Sequence, residues 1–402
     1  MSLLQNMKMG AIAGNTGLRL LGDALGDITG HSMPFRAEQV EQPAVLTRMV
    51  NEGALSVLGQ PVHITGIRRQ AIPAVSSNCQ NLVLTIDQSG QAILPDSVFV
   101  KLPMESLLTR GFMNVISSWR LESHFFRHVA PGLPLRTPVT FATAWRGSRF
   151  FLVQENLRAD PEVTLFTNLD MITGPTLEQA RQCLDAFACL HAFHYGMERE
   201  QQLQILPLDY HPFLSPTMGV VSRNLNRLAL QPCMKKQPAE IPAALAAAYR
   251  LTLTHWDELL KHWFSGPLSL LHGDSHLGNF FATGEKMGML DWQAAHWGKG
   301  MRDVLYFLVD ALPADVLAAH EAELVQYYVE SRARYGEPID AVQAWQDYRS
   351  FSFHALMTIV VSIGFGALNE EQDALMLEIL RRAVAAAERL DYAGWLHGFL
   401  HR

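Results

Sequence analysis

One stretch in the second half of the chain constrains the fold most, because it joins short apolar runs to clustered acidic and amide side chains. Residues 268–271 form a mostly apolar run that leads into Asp274, and residues 288–290 form another that leads into Asp291. Apolar runs of this length, bounded by glycine and polar residues, are typical of buried strands. Both carboxylates are therefore predicted to emerge from strand ends into solvent.

The spacing within this stretch suits phosphoryl transfer. Four residues separate Asp274 from Asn279, as in the D-x-x-x-x-N loop of protein kinases, and Asp291 follows as a second carboxylate. A carboxylate beside an acceptor hydroxyl can take its proton, while hard oxygen ligands hold Mg²⁺ against phosphate oxygens. Gly273 and Gly278 would let the chain turn tightly between these groups. The alternative is a hairpin whose polar side chains only cap turns, but that alternative does not require the full set at this spacing.

The motifs as a whole resemble a known superfamily. H-G-D-x-H-x-G-N at residues 272–279, L-D-W-Q at 290–293 and D-V-L-Y-F-L at 303–308 are similar to the aminoglycoside phosphotransferase and choline/ecdysteroid kinase-like superfamily. Members of that superfamily have a protein-kinase-like fold and phosphorylate small-molecule hydroxyls with a nucleoside triphosphate. The Trp-Gln pair after the second aspartate is closest to the ecdysteroid and choline kinase-like branch. Motifs that resemble those of the superfamily lie within residues 60–308. The rest of the chain resembles the superfamily only in its helical character.

This resemblance implies a role for each polar residue of the motif. Asp274 would be the catalytic base, and Asn279 and Asp291 would be the magnesium ligands. His276 would support the loop, and Asp303 would buttress it. The implied cofactors are ATP and Mg²⁺.

The first half of the chain contains candidates for the nucleotide machinery. Residues 81–86 and 97–102 are rich in strand-forming residues and are joined through Asp-Gln-Ser-Gly at 87–90, which predicts a hairpin. Lys101 matches the strand lysine of the superfamily that pairs with nucleotide phosphates. Glu122 lies in a helical pattern that resembles the family's E-x-x-F-[YF] helix, so the resemblance implies a Lys101–Glu122 pair. A solvated lysine at a strand edge is the alternative.

A hinge for adenine is implied by the apolar run at residues 150–157, which resembles the superfamily's L-L-L-E-D-L segment. Backbone groups of Gln154, Glu155 and Leu157 would hydrogen-bond the base. An ordinary buried strand followed by a loop is the alternative.

A phosphate-covering turn is expected at residues 74–79, before the first of the paired strands. Its polar members Ser76, Ser77 and Asn78 could cradle phosphate with hydroxyls and backbone amides. The turn contains no glycine. Weak nucleotide affinity, or a protein that binds no nucleotide, therefore stays open.

Composition and charge are those of a globular protein. The chain has 402 residues, of which 49% are hydrophobic and 18% charged, so it is long enough for two lobes. A net charge of -7 argues against nucleic-acid binding. Residues 301–402 hold 15 acidic and 8 basic residues, which concentrates the acidity in the half where the family binds acceptors. This would attract a cationic acceptor, although a solvated acidic surface is the favoured interpretation.

Cysteine and histidine usage gives no sign of a metal site or a disulfide framework. The four cysteines have no C-x-x-C spacing and lie in mostly apolar contexts, which predicts reduced packing residues. His191 and His194 are predicted to share a helix, but no third ligand is nearby in sequence, so a structural role is predicted. No signal-peptide pattern is present, and the longest apolar run, 355–363, is too short for a membrane span. We therefore predict a cytoplasmic location.

The predicted fold class is α+β, a two-lobed protein-kinase-like fold with a small antiparallel-sheet N-lobe and a mainly helical C-lobe. Residues 1–35 are predicted to be an N-terminal extension, residues 36–157 the nucleotide-binding N-lobe, and residues 158–402 the C-lobe with the catalytic loop and the acceptor site. Apolar residues at helical spacing predict helices at 42–58, 178–194, 242–263, 314–334 and 372–390.

The expected function is transfer of the terminal phosphoryl group of ATP to a hydroxyl of a small molecule. Aminoglycoside, choline, sugar, sterol and hydroxyacyl acceptors all stay open. An aminoglycoside phosphotransferase proper would need several acidic groups converging on the acceptor. A non-catalytic nucleotide-binding module is the alternative from another class, but such a module has no physical need for Lys101, Glu122, Asp274, Asn279 and Asp291 together.

Overall fold

A small antiparallel sheet forms the core of the first lobe. The computed structural model of the chain describes residues 3–30, 32–72, 78–207, 218–366 and 370–401. The strands are β1 Ile64–Gln70, β2 Cys79–Gln88, β3 Ser97–Pro103, β4 Thr140–Arg146 and β5 Arg149–Glu155. They pair in the order β1-β2-β3-β5-β4, and β2 and β3 form the predicted antiparallel pair, with Asn81 opposite Lys101.

Helices surround this sheet and position its polar residues. They are α1 Leu3–Thr29, α2 Ala37–Val40, α3 Pro43–Gly53, α4 Leu107–Val115 and α5 Ser118–His124. The helix predicted at 42–58 begins as expected but ends at Gly53, where a Cβ atom would lie 2.6 Å from the Phe151 ring. Trp119 of α5 stacks on Phe150 of β5 with ring centroids 5.1 Å apart. This contact fixes α5 beneath the sheet, so that Glu122 points toward β3.

The second lobe is mainly helical, as predicted. Its helices are α6 Asp170–Thr173, α7 Leu177–Ala192, α8 Arg199–Ile205, α9 Gly219–Lys236, α10 Ala243–Thr254, α11 Trp256–Trp263, α12 Met301–Ala311, α13 Ala314–Arg334, α14 Ala341–Phe365, α15 Glu370–Arg389 and α16 Tyr392–Leu400. Every residue of α12 is buried, which makes it the centre of this lobe. No helix in the described ranges is both long enough and apolar enough to cross a membrane.

Most predicted helices are present, with local differences at their ends. The prediction at 314–334 matches α13, and Thr176 starts α7 with a capping box in which it exchanges hydrogen bonds with Gln179. The helix predicted at 242–263 is two helices that meet at His255. Just before this break Thr254 donates its hydroxyl to the Arg250 carbonyl, a bond that competes with the helical backbone.

Short strands in the second lobe carry the polar loops. They are β6 Val163–Leu165, β7 Ser269–Leu271, β8 Phe280–Thr283, β9 Lys286–Met289 and β10 His296–Gly298. β7 pairs with β10, and β8 lies between β6 and β9. Asp274 follows β7 and Asp291 follows β9, as their apolar runs predict. Both strands are almost completely buried, so their ends deliver these acids to the surface between the lobes.

Candidate active site

The loop after β7 holds Asp274 through a backbone turn that only glycine allows. Gly273 has a φ of 87°, and a Cβ atom at this position would lie 2.0 Å from the Ala294 carbonyl oxygen. The neighbouring His272 accepts the Asp274 N–H at its Nδ1 (3.3 Å) and donates from Nε2 to the Leu290 carbonyl oxygen (2.9 Å). Burial lowers the pKa of His272, so the neutral ring fits both bonds. One histidine thereby ties the Asp274 loop to the residue before Asp291.

Asp303 is the buried anchor of this loop. Its carboxylate accepts the backbone N–H groups of His272 (2.7 Å) and Gly273 (3.2 Å). Arg302 Nη1 donates to Asp303 at 3.1 Å and also to the Gly273 carbonyl, and His191 Nε2 lies 3.4 Å from the same carboxylate. Burial alone would raise the pKa of Asp303, but His191 and Arg302 hold it well below its usual range. Asp303 is therefore an anion that fixes the backbone on either side of the glycine turn.

Of the three histidines singled out from the sequence, His194 does not share a helix with His191 as predicted, because α7 ends at Ala192 and His194 has a φ of 58°. The other two, His276 and His191, differ in their surroundings. His276 Nε2 lies 3.8 Å from Asp274 Oδ2, and its Nδ1 is buried without a hydrogen-bond partner among the described residues. His191 bonds Tyr328 in addition to Asp303, with 2.8 Å between Nδ1 and the phenol oxygen. The loop is thus braced by Asp303, Arg302 and His272, whereas His276 faces the space beside Asp274.

Asn279 and Asp291 lie on either side of this space with oxygen atoms available. Asn279 Nδ2 donates to the Asp274 carbonyl oxygen at 2.7 Å, which leaves its Oδ1 free for another partner. Asp291 has a φ of 62°, a left-handed conformation that aspartate tolerates better than most residues. Strained backbone of this kind is concentrated at functional sites. Gly278 permits a close approach rather than a left-handed turn, since a Cβ atom there would lie 2.2 Å from Asn168 Oδ1.

Lys101 joins the two lobes through two carboxylates. Its Nζ donates to Glu122 Oε1 and to Asp291 Oδ1, both at 2.9 Å, and the Lys101 side chain is only 6% exposed. The Lys101–Glu122 pair is the one expected from the sequence, and the contact with Asp291 is additional. Burial alone would lower the pKa of Lys101, but Asp291 and Glu122 raise it above its usual value, so the lysine stays charged. Burial raises the pKa of Glu122 to about 7 against the opposing effect of Lys101.

The predicted nucleotide residues line one cleft of about 280 Å³ between the lobes. The predicted site residues on its walls are Asn78, Lys101, Glu122, Gln154, Glu155, Leu157, Asp274, Asn279 and Asp291. The Gln154 side chain turns away and donates to Thr140 Oγ1 at 2.9 Å, and the Glu155 carboxylate accepts the Val139 N–H at 2.8 Å. The Glu155 backbone N–H is engaged as well, since it donates to the Val139 carbonyl oxygen at 2.8 Å, so this group is not available to a base in the structure. Ser76 and Ser77 lie outside the described residues.

A second and larger cleft, of about 720 Å³, opens on the other side of Asp274. Its walls are mostly apolar and include Met113, Ile116, Leu225, Met357, Val361 and Phe365. Asp274 and Arg302 are the only charged side chains among the described residues that line it. None of the acidic residues of the segment 301–402 is among the described residues that line it.

Two polar residues of these clefts could not be identified from the sequence. Arg302 lies beside Asp274 and lines the larger cleft, yet it gave no signal as a neighbour of the D-V-L-Y-F-L motif. Gln293 lines both clefts and accepts from Asn78 Nδ2 at 3.3 Å, while its carbonyl accepts the Ser118 hydroxyl at 3.1 Å. The L-D-W-Q motif contains this glutamine, but only its partners, far away in sequence, reveal its place.

A buried histidine beside the Asp274 loop predicts loss of stability in mild acid. Burial lowers the pKa of His296 to about 3, whereas an unfolded histidine titrates near 6.5. Below pH 6.5 the unfolded chain therefore binds a proton at His296 that the folded chain does not. The stability that the neutral His296 contributes is complete above pH 6.5 and is lost as pH falls toward 3. Between pH 7.5 and 5.5 the free energy of unfolding should drop by about 1.4 kcal/mol from this residue. Denaturant unfolding of the parent and of His296→Asn at several pH values measures this drop. If the free energy of unfolding depended on pH equally in both proteins, His296 would not be its source.

Comparison with known proteins gives one family and several related structures. Residues 84–335 match the ecdysteroid kinase-like family. No curated protein matches the chain.

In the described part of the chain, no group of three or more His, Cys, Asp and Glu side chains is arranged to hold a metal ion.

Similar solved structures include three from bacteria. One is a structure from Ralstonia eutropha that is described as an aminoglycoside phosphotransferase. It is 15% identical with a TM-score of 0.49, and the match covers 90% of this chain and 99% of that protein. A choline/ethanolamine kinase family protein from Mesorhizobium loti is 14% identical with a TM-score of 0.46, covering 84% and 93%. A choline kinase from Streptococcus pneumoniae is 8% identical with a TM-score of 0.46, covering 83% and 94%.

Proposed function

Because the chain belongs to the ecdysteroid kinase-like family, we propose that it is an ATP-dependent kinase that phosphorylates a hydroxyl of a largely apolar small molecule. The observation that carries this proposal is the position of Asp274, which lines both the small polar cleft and the large apolar one. A group that faces two clefts can act where a nucleotide and an acceptor meet. The family supports kinase chemistry, and the clefts suggest the acceptor.

Asp274 acts as the general base in this proposal. The acceptor hydroxyl enters from the apolar cleft and donates its proton to the Asp274 carboxylate as its oxygen bonds to the terminal phosphorus of ATP. The bond between that phosphorus and the bridging oxygen breaks, and ADP leaves with the electron pair. Lys101, held by Glu122, provides positive charge for the α- and β-phosphates. The Asp303 anchor keeps Asp274 in position, which is the main requirement for this reaction.

The oxygen atoms of Asn279 and Asp291 fit a magnesium ion. Mg²⁺ is bound in such sites by one or two protein oxygens together with substrate phosphates and water. The Asn279 amide is oriented by its bond to the Asp274 carbonyl, and both Asn279 and the partly exposed Asp291 line the same cleft. When bound, the ion would neutralise charge on the phosphate oxygens during transfer.

Removing these two ligands should have unequal effects on nucleotide binding. Asp291→Ala should reduce the magnesium-dependent part of ATP affinity more than Asn279→Ala, because an anionic oxygen holds Mg²⁺ more strongly than a neutral amide. Titration of ATP with and without Mg²⁺ measures the difference. Asp291→Asn is the matched control, since it removes the charge and keeps the size. If Asp291→Ala and the parent gained equal affinity from Mg²⁺, Asp291 would not be a ligand.

The lining of the larger cleft favours an apolar, uncharged acceptor over a cationic one. An aminoglycoside carries several ammonium groups, each of which would need a carboxylate or a solvated position. Asp274 is the sole acidic side chain among the described lining residues, and Arg302 would repel a cation. An apolar alcohol buries its body against the walls and needs only its hydroxyl near Asp274. A steroid alcohol is one molecule of this kind.

An acceptor screen that follows ADP release tests the proposed function. The purified full chain is incubated with ATP, Mg²⁺ and acceptors of three classes, namely steroid or long-chain alcohols, an aminoglycoside, and choline. We expect ADP release that depends on the apolar alcohol and a phosphorylated product visible by mass spectrometry. Asp274→Asn in parallel detects background hydrolysis. Turnover with the aminoglycoside or choline alone would overturn the acceptor class, and ATP binding without turnover of any acceptor would favour the non-catalytic alternative.

A further inference from the structure

The N-terminal helix α1 carries an exposed row of aliphatic side chains. Leu18, Leu21, Leu25 and Ile28 are 70%, 63%, 65% and 82% exposed, and their spacing of three, four and three residues places them on one face. We call these four residues the outer stripe. In the sequence the same alternation of three and four continues back through Gly14, Ala11, Met7 and Leu4.

The opposite face of α1 is bound to the body of the protein. Asp23 accepts the backbone N–H of Ser148 at 2.8 Å, and Asp27 forms a two-pronged ion pair with the buried Arg149 at 2.8 and 2.5 Å. Arg19 stacks over the Trp145 ring at 4.6 Å. These contacts orient the helix, so the outer stripe cannot turn inward without breaking the ion pair between Asp27 and the buried Arg149. The contacts of the opposite face therefore keep the outer stripe exposed to solvent.

The spacing of the stripe identifies the kind of partner. Apolar residues that alternate at three and four form a seven-residue repeat, and this repeat is the signature of helices that pair along a seam. We infer that the outer stripe is a dimerisation seam and that its partner is α1 of a second copy of this chain. A seam of this kind needs a matching helical row, and the identical helix of another copy offers one by symmetry.

The residues beside the stripe suit a close helix pair. Gly17 and Gly22 flank it, and a Cβ atom at either position would meet no heavy atom within 4 Å. Small residues there let two backbones approach, and among residues 10–29 no charged side chain flanks the exposed row to repel its copy. Pairing of two stripes buries on the order of 1,000 Å², the size at which specific interfaces begin.

A membrane surface fits the same row less well. Helices that lie on membranes carry Lys and Arg along their polar face to meet anionic lipid headgroups. Helix α1 carries two basic residues in its sequence, Lys8 and Arg19; Arg19 packs on Trp145, and the charged residues nearest to Arg19 on the helix are acidic. The chain as a whole carries a net charge of -7. Anionic lipid would therefore be repelled rather than attracted.

Sedimentation of the full chain over a range of concentrations tests the inference. The parent should be a dimer, with twice the 44.9 kDa chain mass, and Leu21→Glu and Leu25→Glu should each weaken the dimer by about a hundredfold or more, because the seam would bury a charge from each copy. Val342→Glu on α14 is the matched control, since Val342 is 72% exposed and lies outside the stripe. It should sediment like the parent.

Circular dichroism and the unfolding midpoint test whether the variants are folded. We expect them to be, because Leu21 and Leu25 lie on the exposed face of α1 and make none of the contacts that hold the helix to the body. A monomeric parent at about 100 μM would overturn the inference. A dimer that survives both glutamate variants would place the interface elsewhere and overturn it too. Binding of the parent to phosphatidylserine vesicles that is lost in both variants, with no dimer in solution, would make the stripe a membrane face and reject the proposed partner. None of these measurements depends on kinase activity.

Discussion

Asp274→Asn is expected to lower the rate constant for phosphoryl transfer by about a hundredfold or more, with ATP affinity nearly unchanged. The amide has the size of the carboxylate but cannot take the proton of the acceptor hydroxyl. Asp274 makes no side-chain contact with Lys101 or Asp291, so the groups that would hold the nucleotide remain in place. Single-turnover transfer measures the rate constant, and titration of ATP measures binding.

Asp303→Asn separates this chemical role from a positioning role. Asp303 is fully buried and accepts two backbone N–H groups of the loop, so its substitution should lower thermal stability as well as transfer. Asp274→Asn should leave the unfolding midpoint within a degree or two of the parent, because the Asp274 side chain is partly exposed. Transfer at the parent rate by Asp274→Asn would show that another group accepts the proton.

The parts of the candidate site whose positions can be predicted from the sequence are those encoded locally. Asp274 and Asn279 sit on one loop, and their spacing alone places them together. Lys101 and Glu122 belong to a strand and the helix that follows, and the apolar pattern of each element orients its charged residue. Local pattern and tertiary packing agree at these positions, as expected for a foldable sequence.

The parts that the sequence does not predict depend on contacts between distant segments. The Lys101–Asp291 bond joins residues 190 positions apart, and no local pattern encodes it. Arg302 becomes part of the site only because α12 packs behind the glycine turn. Helix α1 could not be predicted from the sequence, because its glycines at 10, 14, 17, 22 and 26 disfavour a helix in isolation. Its ion pair with Arg149 supplies stabilisation from tertiary structure.

Removal of Lys101 is expected to have the second large effect, because two carboxylates depend on it. Lys101→Met keeps the length of the side chain but leaves Glu122 buried with neither carboxylate oxygen paired, as Glu122 Oε2 already lacks a partner among the described residues. Breaking a buried pair from one side costs about 3–5 kcal/mol in other proteins. We expect Lys101→Met to reduce turnover with ATP by at least about a hundredfold and to lower the unfolding midpoint by several degrees.

The coupling between Lys101 and Glu122 decides whether the pair acts as one unit. Glu122→Gln alone should also impair turnover, since Lys101 would then be held only by Asp291. The double variant Lys101→Met/Glu122→Gln should lose much less activity than the product of the two single losses, and it should be more stable than Lys101→Met because no unpaired buried carboxylate remains. Fully multiplicative losses in turnover, with additive losses in stability, would mean that each residue acts alone. The link between β3 and α5 would then be a contact without function, and the nucleotide site would have to rest on Asp291 and the hinge.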